Sequence, residues 1–245
     1  MVNWPSVVTA VVTTSPIPSH PSTAVIDETY ESIRHHFPTI PIMILADGVR
    51  EEQTCWKERY ATYLQSINQK EWPGVQIHQF QKFMHQAGMI RETLNQVRTP
   101  LILWIEHDLP LVKDHIPWEG IIQALLDNAV SSVRFVLDDV RKPYYERGDF
   151  TTHGVTLTRT VEYSSLPNIA RKDLYEFIVP HFKTAQIHLE CSNICGLFHD
   201  DRAPQWPLSI YHAPDGRPRA YSLDGRSVKP VKSARPCGPK LPMRF

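Results

Sequence analysis

The apolar run Leu101-Ile-Leu-Trp-Ile105 leads directly into Glu106-His107-Asp108. A short, continuous apolar run of this kind predicts a strand that is buried on both faces, as in a parallel sheet. The carboxylates of Glu106 and Asp108 are then expected at the end of a buried strand. Carboxylate oxygens in such a place can hold a hard divalent cation, which in turn neutralises a diphosphate.

Further apolar runs precede and follow this one along the chain. They are Val7–Thr14, Ile42–Leu45, Val75–Phe80 and Val133–Leu137. The stretches between them carry apolar residues at helical spacing, as in Ile26, Tyr30, Ile33 and Phe37. This alternation predicts an α/β fold in which helices flank a mostly parallel sheet.

The pattern changes after residue 142. Ala170–Phe182 is predicted to be a helix, and Leu208–His212 with Pro218–Leu223 is predicted to form a C-terminal hairpin around Pro214-Asp215-Gly216. The proline-rich tail from Val228 is predicted to be an extended arm. We therefore expect one domain over residues 1–216, with a nucleotide-binding half to about 140 and an acceptor half from about 141. A basic hairpin strand and arm follow over residues 217–245.

Charge is distributed unevenly along the chain. Residues 217–245 contain eight basic residues and one acidic residue, a formal charge of +7. Because the whole chain is formally neutral, residues 1–216 carry −7. A basic segment on an acidic body indicates contact with a polyanion or with the protein's own acidic surface.

Composition excludes several classes of protein. Hydrophobic residues make up 42% of the chain and charged residues 21%, which excludes global disorder. No apolar run approaches the ~18 residues of a membrane span, and the first residues lack the basic start of a signal peptide. Four cysteines do not make a disulfide scaffold, so a cytoplasmic location is expected. Cys191 and Cys195, near His188 and Glu190, lack the second ligand pair typical of a zinc site.

Acidic residues recur where the predicted strands end. Asp47 follows the second strand, Glu106 and Asp108 follow the fourth, and Asp138 and Asp139 follow the fifth. In open α/β sheets, ligands bind outside the carboxyl ends of the strands. The sequence therefore predicts a ligand site at this edge of the sheet.

The order and spacing of these motifs resemble the centre of GT-A glycosyltransferases, particularly the inverting family 2 type. A glycine, Gly88, and a helix bearing Arg91 precede the apolar strand, and Glu106–Asp108 resembles the DxD motif. Val7–Thr14 and Leu45-Ala-Asp47-Gly48 are similar to the first two strands of that fold. The resemblance covers residues 7 to about 140. The second half resembles small glycosyltransferase-like proteins encoded by bacteriophages.

This resemblance implies roles for particular residues. Asp47 is expected to contact the nucleoside of a nucleotide-sugar donor, Asp108 to ligate Mn²⁺ or Mg²⁺, and Glu106 to bind the ribose or the metal through water. The other candidate donor-binding residues are Thr13, Thr14, Arg91 and His107. Two departures stand out, since Asp47 is alone where the family has an acidic pair, and the loop after the first strand lacks the usual Tyr-Asn.

An inverting enzyme also needs a base that deprotonates the acceptor hydroxyl. Glu190 lies in a place comparable to that of the family's base and is the candidate. Asp138 and Asp139 are the rivals, because they end the strand beside the metal motif.

The sequence thus predicts a metal-dependent glycosyltransferase that acts on a hydroxyl acceptor, with a hydroxylated base in phage DNA as the leading suggestion. A nucleotidyltransferase of similar fold is one alternative, although residues 15–21 lack the glycine and the basic residues that grip a triphosphate. A non-catalytic nucleic-acid-binding protein is another. The acids at the strand ends disfavour it, because they repel phosphates when no metal is bound.

Overall fold

A computed structural model describes residues 3–138, 141–142, 144–182, 188–189, 192, 197–198 and 205–223. In this part of the chain, nine strands form one sheet that is flanked by six α-helices. The strands are β1 (Val8–Thr14), β2 (Ile42–Ala46), β3 (Val75–Gln79), β4 (Leu101–Glu106), β5 (Ser132–Phe135), β6 (Glu146–Thr152), β7 (Val155–Thr160), β8 (Asn168–Arg171) and β9 (Leu208–Tyr211). The helices are α1 (Trp4–Val7), α2 (Ala24–His36), α3 (Lys57–Asn68), α4 (His85–Thr93), α5 (Trp118–Leu126) and α6 (Lys172–Ile178).

The sheet has the strand order β3-β2-β1-β4-β8-β5-β9-β7-β6. The four strands β3, β2, β1 and β4 are mutually parallel, and helices connect them, as the alternating pattern predicts. In the rest of the sheet only β5 and β9 are a parallel pair, and the other four pairings are antiparallel. The expected α/β fold is therefore confirmed, but the sheet is mixed, and its parallel part lies within residues 1–140, where the sequence predicts nucleotide binding.

Two hydrophobic layers enclose the parallel strands. Every residue of β1 is buried, and alternate side chains enter opposite layers, as expected from the period of two in a strand. Ile26 and Ile33 of α2 pack in one layer. Ala87 and Ile90 of α4 pack in the other, against the fully buried Trp104. These layers hold the carboxyl ends of β1, β2 and β4 at one edge of the sheet.

A short connection explains why β6 and β7 are antiparallel. The turn between β6 and β7 is His153-Gly154, and both residues have positive φ (47° and 74°). A two-residue turn of this hand joins only antiparallel neighbours.

Two predicted elements differ in the structure. The predicted helix over residues 170–182 begins as strand β8, which fills the space between β4 and β5, and α6 starts only at Lys172. The predicted C-terminal hairpin is wrong, because both edges of β9 already pair with β5 and β7. The residues after Gly216 instead follow the loop beyond β4, where Ala220 bridges to Leu111. The amide of Leu223 donates to the carbonyl of Asp108 at 2.8 Å.

The first cations of the basic segment are engaged by the protein itself. Arg219 is only 5% exposed and donates to Asp215 at 2.8 Å, and Arg217 lies 4.0 Å from Asp114. The expected extended arm, from Val228 onward, lies outside the described residues. Cys55 is disulfide-bonded, which the sequence analysis did not predict. None of the helices in the described ranges combines the length and hydrophobicity needed to cross a bilayer.

Candidate active site at the carboxyl edge of the parallel strands

A cavity of about 130 Å³ lies where β1, β2 and β4 end. Six of the residues predicted from the sequence line it, namely Thr13, Thr14, Asp47, Glu106, His107 and Asp108. Sheet hydrogen bonds fix their relative positions, since the amide of Asp47 donates to Thr14 and the amide of His107 donates to Thr13, both at 2.9 Å. The strand-end acids of β2 and β4 therefore converge as the parallel topology requires.

The Asp47 carboxylate organises the backbone at the start of α4. It accepts hydrogen bonds from the amides of Gly48 (2.8 Å), Met84 (2.6 Å) and His85 (3.0 Å). Burial raises the pKa of the Asp47 carboxyl, while these three hydrogen bonds and the nearby Arg50 oppose the shift. Gly48 is needed here for space, because a Cβ atom at this position would lie 2.2 Å from the carbonyl carbon of Lys82.

Asp47→Ala is expected to destabilise the fold as well as weaken donor binding, because it removes the acceptor of three amides. Each buried amide left without an acceptor costs about 1–3 kcal/mol of the free energy of unfolding. Urea unfolding monitored by circular dichroism measures this loss, with Asp114→Ala, an exposed acid, as the matched control. An unchanged urea midpoint combined with lost donor binding would instead indicate that Asp47 acts mainly on the donor.

Glu106 is held by side chains from two other segments. Its Oε1 atom accepts from Nε2 of Gln86 at 2.8 Å and from the Ser165 hydroxyl at 3.1 Å. The side-chain carbonyl of Gln86 in turn accepts from the amide of Leu189 at 3.2 Å. Gln86 therefore joins the end of β4 to the segment that carries His188, which also lines the cavity.

Asp108 follows the end of β4 and lines the same cavity. Its side chain is 25% exposed, and its Oδ1 atom lies 4.0 Å from Nδ1 of His107. This is too long for a hydrogen bond. A carboxylate that faces a cavity in this way can ligate a hard cation.

The imidazole of His107 is directed into a buried cluster. Burial lowers its pKa, and its Nε2 atom has no hydrogen-bond partner among the described residues. His20 lies 6.2 Å away, ring centre to ring centre, and stacks on Tyr63 at 4.0 Å. Burial lowers the pKa of His20 to about 3, so the His20 ring is neutral at pH 7. The Thr14 hydroxyl also faces this cluster, 3.0 Å from the Tyr63 hydroxyl.

The remaining predicted residues are not part of this cavity. The Arg91 guanidinium donates to the carbonyls of Val179 (3.3 Å) and Phe182 (2.8 Å), so its contacts are with the protein's own backbone. Asp138 is exposed and lines a separate cavity. Asp139 and Glu190 lie outside the described residues, as do Cys191 and Cys195.

Seven cavity residues were not assigned to the donor site from the sequence. They are Ser15, Ile17, Arg50, His85, Gln86, Met89 and His188. The Arg50 guanidinium lies over the Phe83 ring, 4.4 Å from its centre, and is a cation beside three carboxylates. The position of Arg50, three residues after the strand-end Asp47, was the sequence signal that could have placed it in the cavity. His85 has a positive φ of 56°, and no pattern of residue types indicates that conformation.

No family model matches the sequence, and no curated protein is similar to it in sequence. Solved structures do resemble the fold. S. aureus TarS 1–349 matches with a TM-score of 0.53 at 12% identity, over 88% of this chain and 60% of that one. The same fragment in complex with UDP-GlcNAc gives 0.51 at 11% identity, over 94% and 61%. The mannosyltransferase PcManGT of Pyrobaculum calidifontis, in complex with GDP-Man and Mn²⁺, gives 0.53 at 11% identity, over 88% and 57%.

These likenesses concern the fold. The chain has the GT-A-like α/β fold of these glycosyltransferases, as the motif order predicted. It spans about three fifths of the length of the chains that it matches.

Proposed function

We propose that the protein is a metal-dependent glycosyltransferase that moves a sugar from a nucleotide-diphosphate donor to an acceptor hydroxyl, with inversion. The observation that carries this proposal is the convergence of Asp47, Glu106 and Asp108 on one cavity at the carboxyl edge of the parallel strands. The similarity to folds crystallised with UDP-GlcNAc and with GDP-Man supports the class of donor.

The residues present fit a Mn²⁺ or Mg²⁺ ion that shares its ligands with a diphosphate. In the described ranges, no group of three or more His, Cys, Asp or Glu side chains is placed to hold a metal ion. Asp108 would supply a carboxylate oxygen and Glu106 a contact through water, which leaves positions for phosphate oxygens, as is usual for Mg²⁺. When bound, the ion neutralises the charge that develops on the leaving diphosphate.

The chain's own groups would position the donor. Arg50 brings a cation to a cavity that three carboxylates also line, so it is suited to the phosphates. Asp47 holds the loop from Met84 to His85 and thereby shapes the wall beside the nucleoside. The base that takes the acceptor proton is proposed to be Glu190, the residue that follows Leu189 in the chain. Leu189 lies close to Glu106, because the Leu189 amide donates to the Gln86 side chain, which in turn donates to Glu106.

A donor screen tests this function. We expect one of UDP-, GDP- or dTDP-sugars to bind and to be slowly hydrolysed in the presence of Mn²⁺, and EDTA to abolish the turnover. Calorimetry measures the binding, and release of the nucleoside diphosphate measures hydrolysis. A nucleoside triphosphate with a sugar phosphate belongs in the same screen, because pyrophosphate release from that pair would instead identify a nucleotidyltransferase. Binding of none of the three sugar donors would contradict the proposal.

The acceptor is proposed to be polyanionic, with a hydroxylated base in phage DNA as the specific suggestion. The charge of the C-terminal segment supports it, although Arg217 and Arg219 are engaged within the protein. Six basic residues remain for such a contact, namely Arg226, Lys229, Lys232, Arg235, Lys240 and Arg244.

A further inference from the structure

A second and larger cavity, of about 500 Å³, lies next to the candidate donor site. Arg134 and Lys142 supply cations to its lining, and Tyr144 and Tyr145 supply aromatic rings. The Tyr144 ring is 74% exposed and packs edge-on against the Tyr145 ring, with 4.7 Å between the ring centres. None of these residues has a role in the donor site described above.

Arg134 is a buried cation that has no counter-ion among the described residues. It lies on β5, is only 6% exposed, and its guanidinium carbon sits 5.4 Å from the centre of the Tyr145 ring. Its Nε atom is buried without a hydrogen-bond partner, and no ion pair of Arg134 occurs among the residues described. Burying a charge costs free energy unless an opposite charge compensates it. A side chain kept in this state is therefore suited to an external anion.

The sheet register places Arg134 on the same face as the metal motif. Arg134 of β5 and Trp104 of β4 both pair with Asn168 of β8, and paired residues direct their side chains to one face. Glu106 is two residues beyond Trp104 and shares that face. Since β8 alone separates β4 from β5, the two strands run about 10 Å apart. Ser164 lines the second cavity and the adjacent Ser165 donates to Glu106 in the first, so the two cavities are neighbours.

We propose that this cavity binds an anionic group of the acceptor, a phosphate or a carboxylate, through the Arg134 guanidinium. The inference rests on the proposed glycosyltransferase function and extends it to the acceptor. A guanidinium matches both groups, because its planar fork donates two parallel hydrogen bonds. The aromatic rings would pack on the sugar or base that carries the reacting hydroxyl.

Two carboxylates share the lining of this cavity, and both affect the expected affinity. Asp138 is exposed and acts on Lys142, whose pKa is raised first by Tyr145 and to a lesser degree by Asp138. Glu162 is half-buried, and its amide donates to the Thr160 hydroxyl. These carboxylates repel small free anions. An isolated anion is therefore expected to bind weakly and to depend on Arg134.

The Arg134 side-chain Nε–H signal in a ¹⁵N-labelled protein provides a direct test. Titration with inorganic phosphate and, separately, with acetate should shift that signal. The anion that binds with the higher affinity identifies the anionic group of the acceptor. Arg134→Met should weaken anion binding tenfold or more, since hydrogen bonds to charged groups contribute at that level. Arg134→Lys should give an intermediate value. Arg159→Met is the matched control, because Arg159 also lies over an aromatic ring, that of Phe150, but is exposed on β7 outside this cavity.

Thermal unfolding separates a binding role from a structural one. A binding arginine is stabilised only by its ligand, so without phosphate Arg134→Met should unfold at the same or a higher temperature than the wild type, and phosphate should stabilise only the wild type. Donor hydrolysis should persist in the variant. Normal hydrolysis with no shift of the Arg134 signal by either anion would overturn the anion site alone. Anion binding without any donor turnover would retain the site and refute the glycosyltransferase.

Discussion

Asp108→Asn should lower the rate of sugar transfer by about 10³-fold and leave the fold intact. Asparagine keeps the shape of the side chain but removes the charge that attracts a divalent cation. The electrostatic help of a metal ion to a leaving diphosphate amounts to several kcal/mol, and each 1.36 kcal/mol corresponds to about tenfold in rate. The Asp108 side chain makes no hydrogen bond among the described residues and lies 4.0 Å from Nδ1 of His107, so the free energy of unfolding should change little.

Steady-state transfer at saturating donor measures this effect, with Mn²⁺ titrated in both proteins. Asp114→Asn is the control, because Asp114 lies in the loop that follows the same strand and is 53% exposed. The variant at Asp108 should also need more Mn²⁺ for half-maximal rate. Turnover at the wild-type rate by Asp108→Asn, or by the wild type in EDTA, would remove the metal from the mechanism.

Glu190→Gln should lower transfer by about 10² to 10⁴-fold, the range that general-base help provides, while donor binding persists. Glutamine keeps the size of the side chain but cannot accept the acceptor proton. The rate of the wild type should fall at low pH as the base is protonated, and this limb should vanish in the variant. Stopped assays across pH with saturating donor measure both effects.

Asp138→Asn is the comparison that decides between Glu190 and Asp138, one of its two rivals beside Asp139. Asp138 is exposed in the second cavity, which we assign to the acceptor, so it lies where a rival base would be needed. Loss of the acidic limb in Asp138→Asn, with normal activity in Glu190→Gln, would move the base to the end of β5. Equal activity of both variants and the wild type would indicate that another group takes the proton.

The parallel half of the fold could be predicted because its signals are local and consistent. The runs that became β1, β2 and β4 are continuous and β-branched or aliphatic, and α2 carries a regular apolar stripe. Acids at the ends of such strands must meet at one edge, so the joint position of Asp47, Glu106 and Asp108 followed from topology alone. Their chemical roles did not follow, since a carboxylate that binds backbone amides and one that faces a cavity are the same residue type.

The second half depends on pairings that the sequence does not encode locally. The segment Asn168–Arg171 is too short to show an alternation of apolar and polar residues. It is a strand because it pairs with β4 on one side and with β5 on the other. The predicted hairpin at β9 was wrong for the same reason, because the strands that pair with β9 come from distant parts of the chain. Arg134 was overlooked because a single arginine within an apolar run carries no sign that it is buried and unpaired.

The pairing of residues 219–223 with the loop after β4 has a mechanical consequence. The amides of Tyr221 and Leu223 donate to the carbonyls of Pro110 (3.1 Å) and Asp108 (2.8 Å). The loop whose carboxylate is proposed to ligate the metal is therefore anchored by a segment that lies more than a hundred residues later in the chain. A change near Leu223 is thus expected to act on the metal site through the backbone, without contact to the donor.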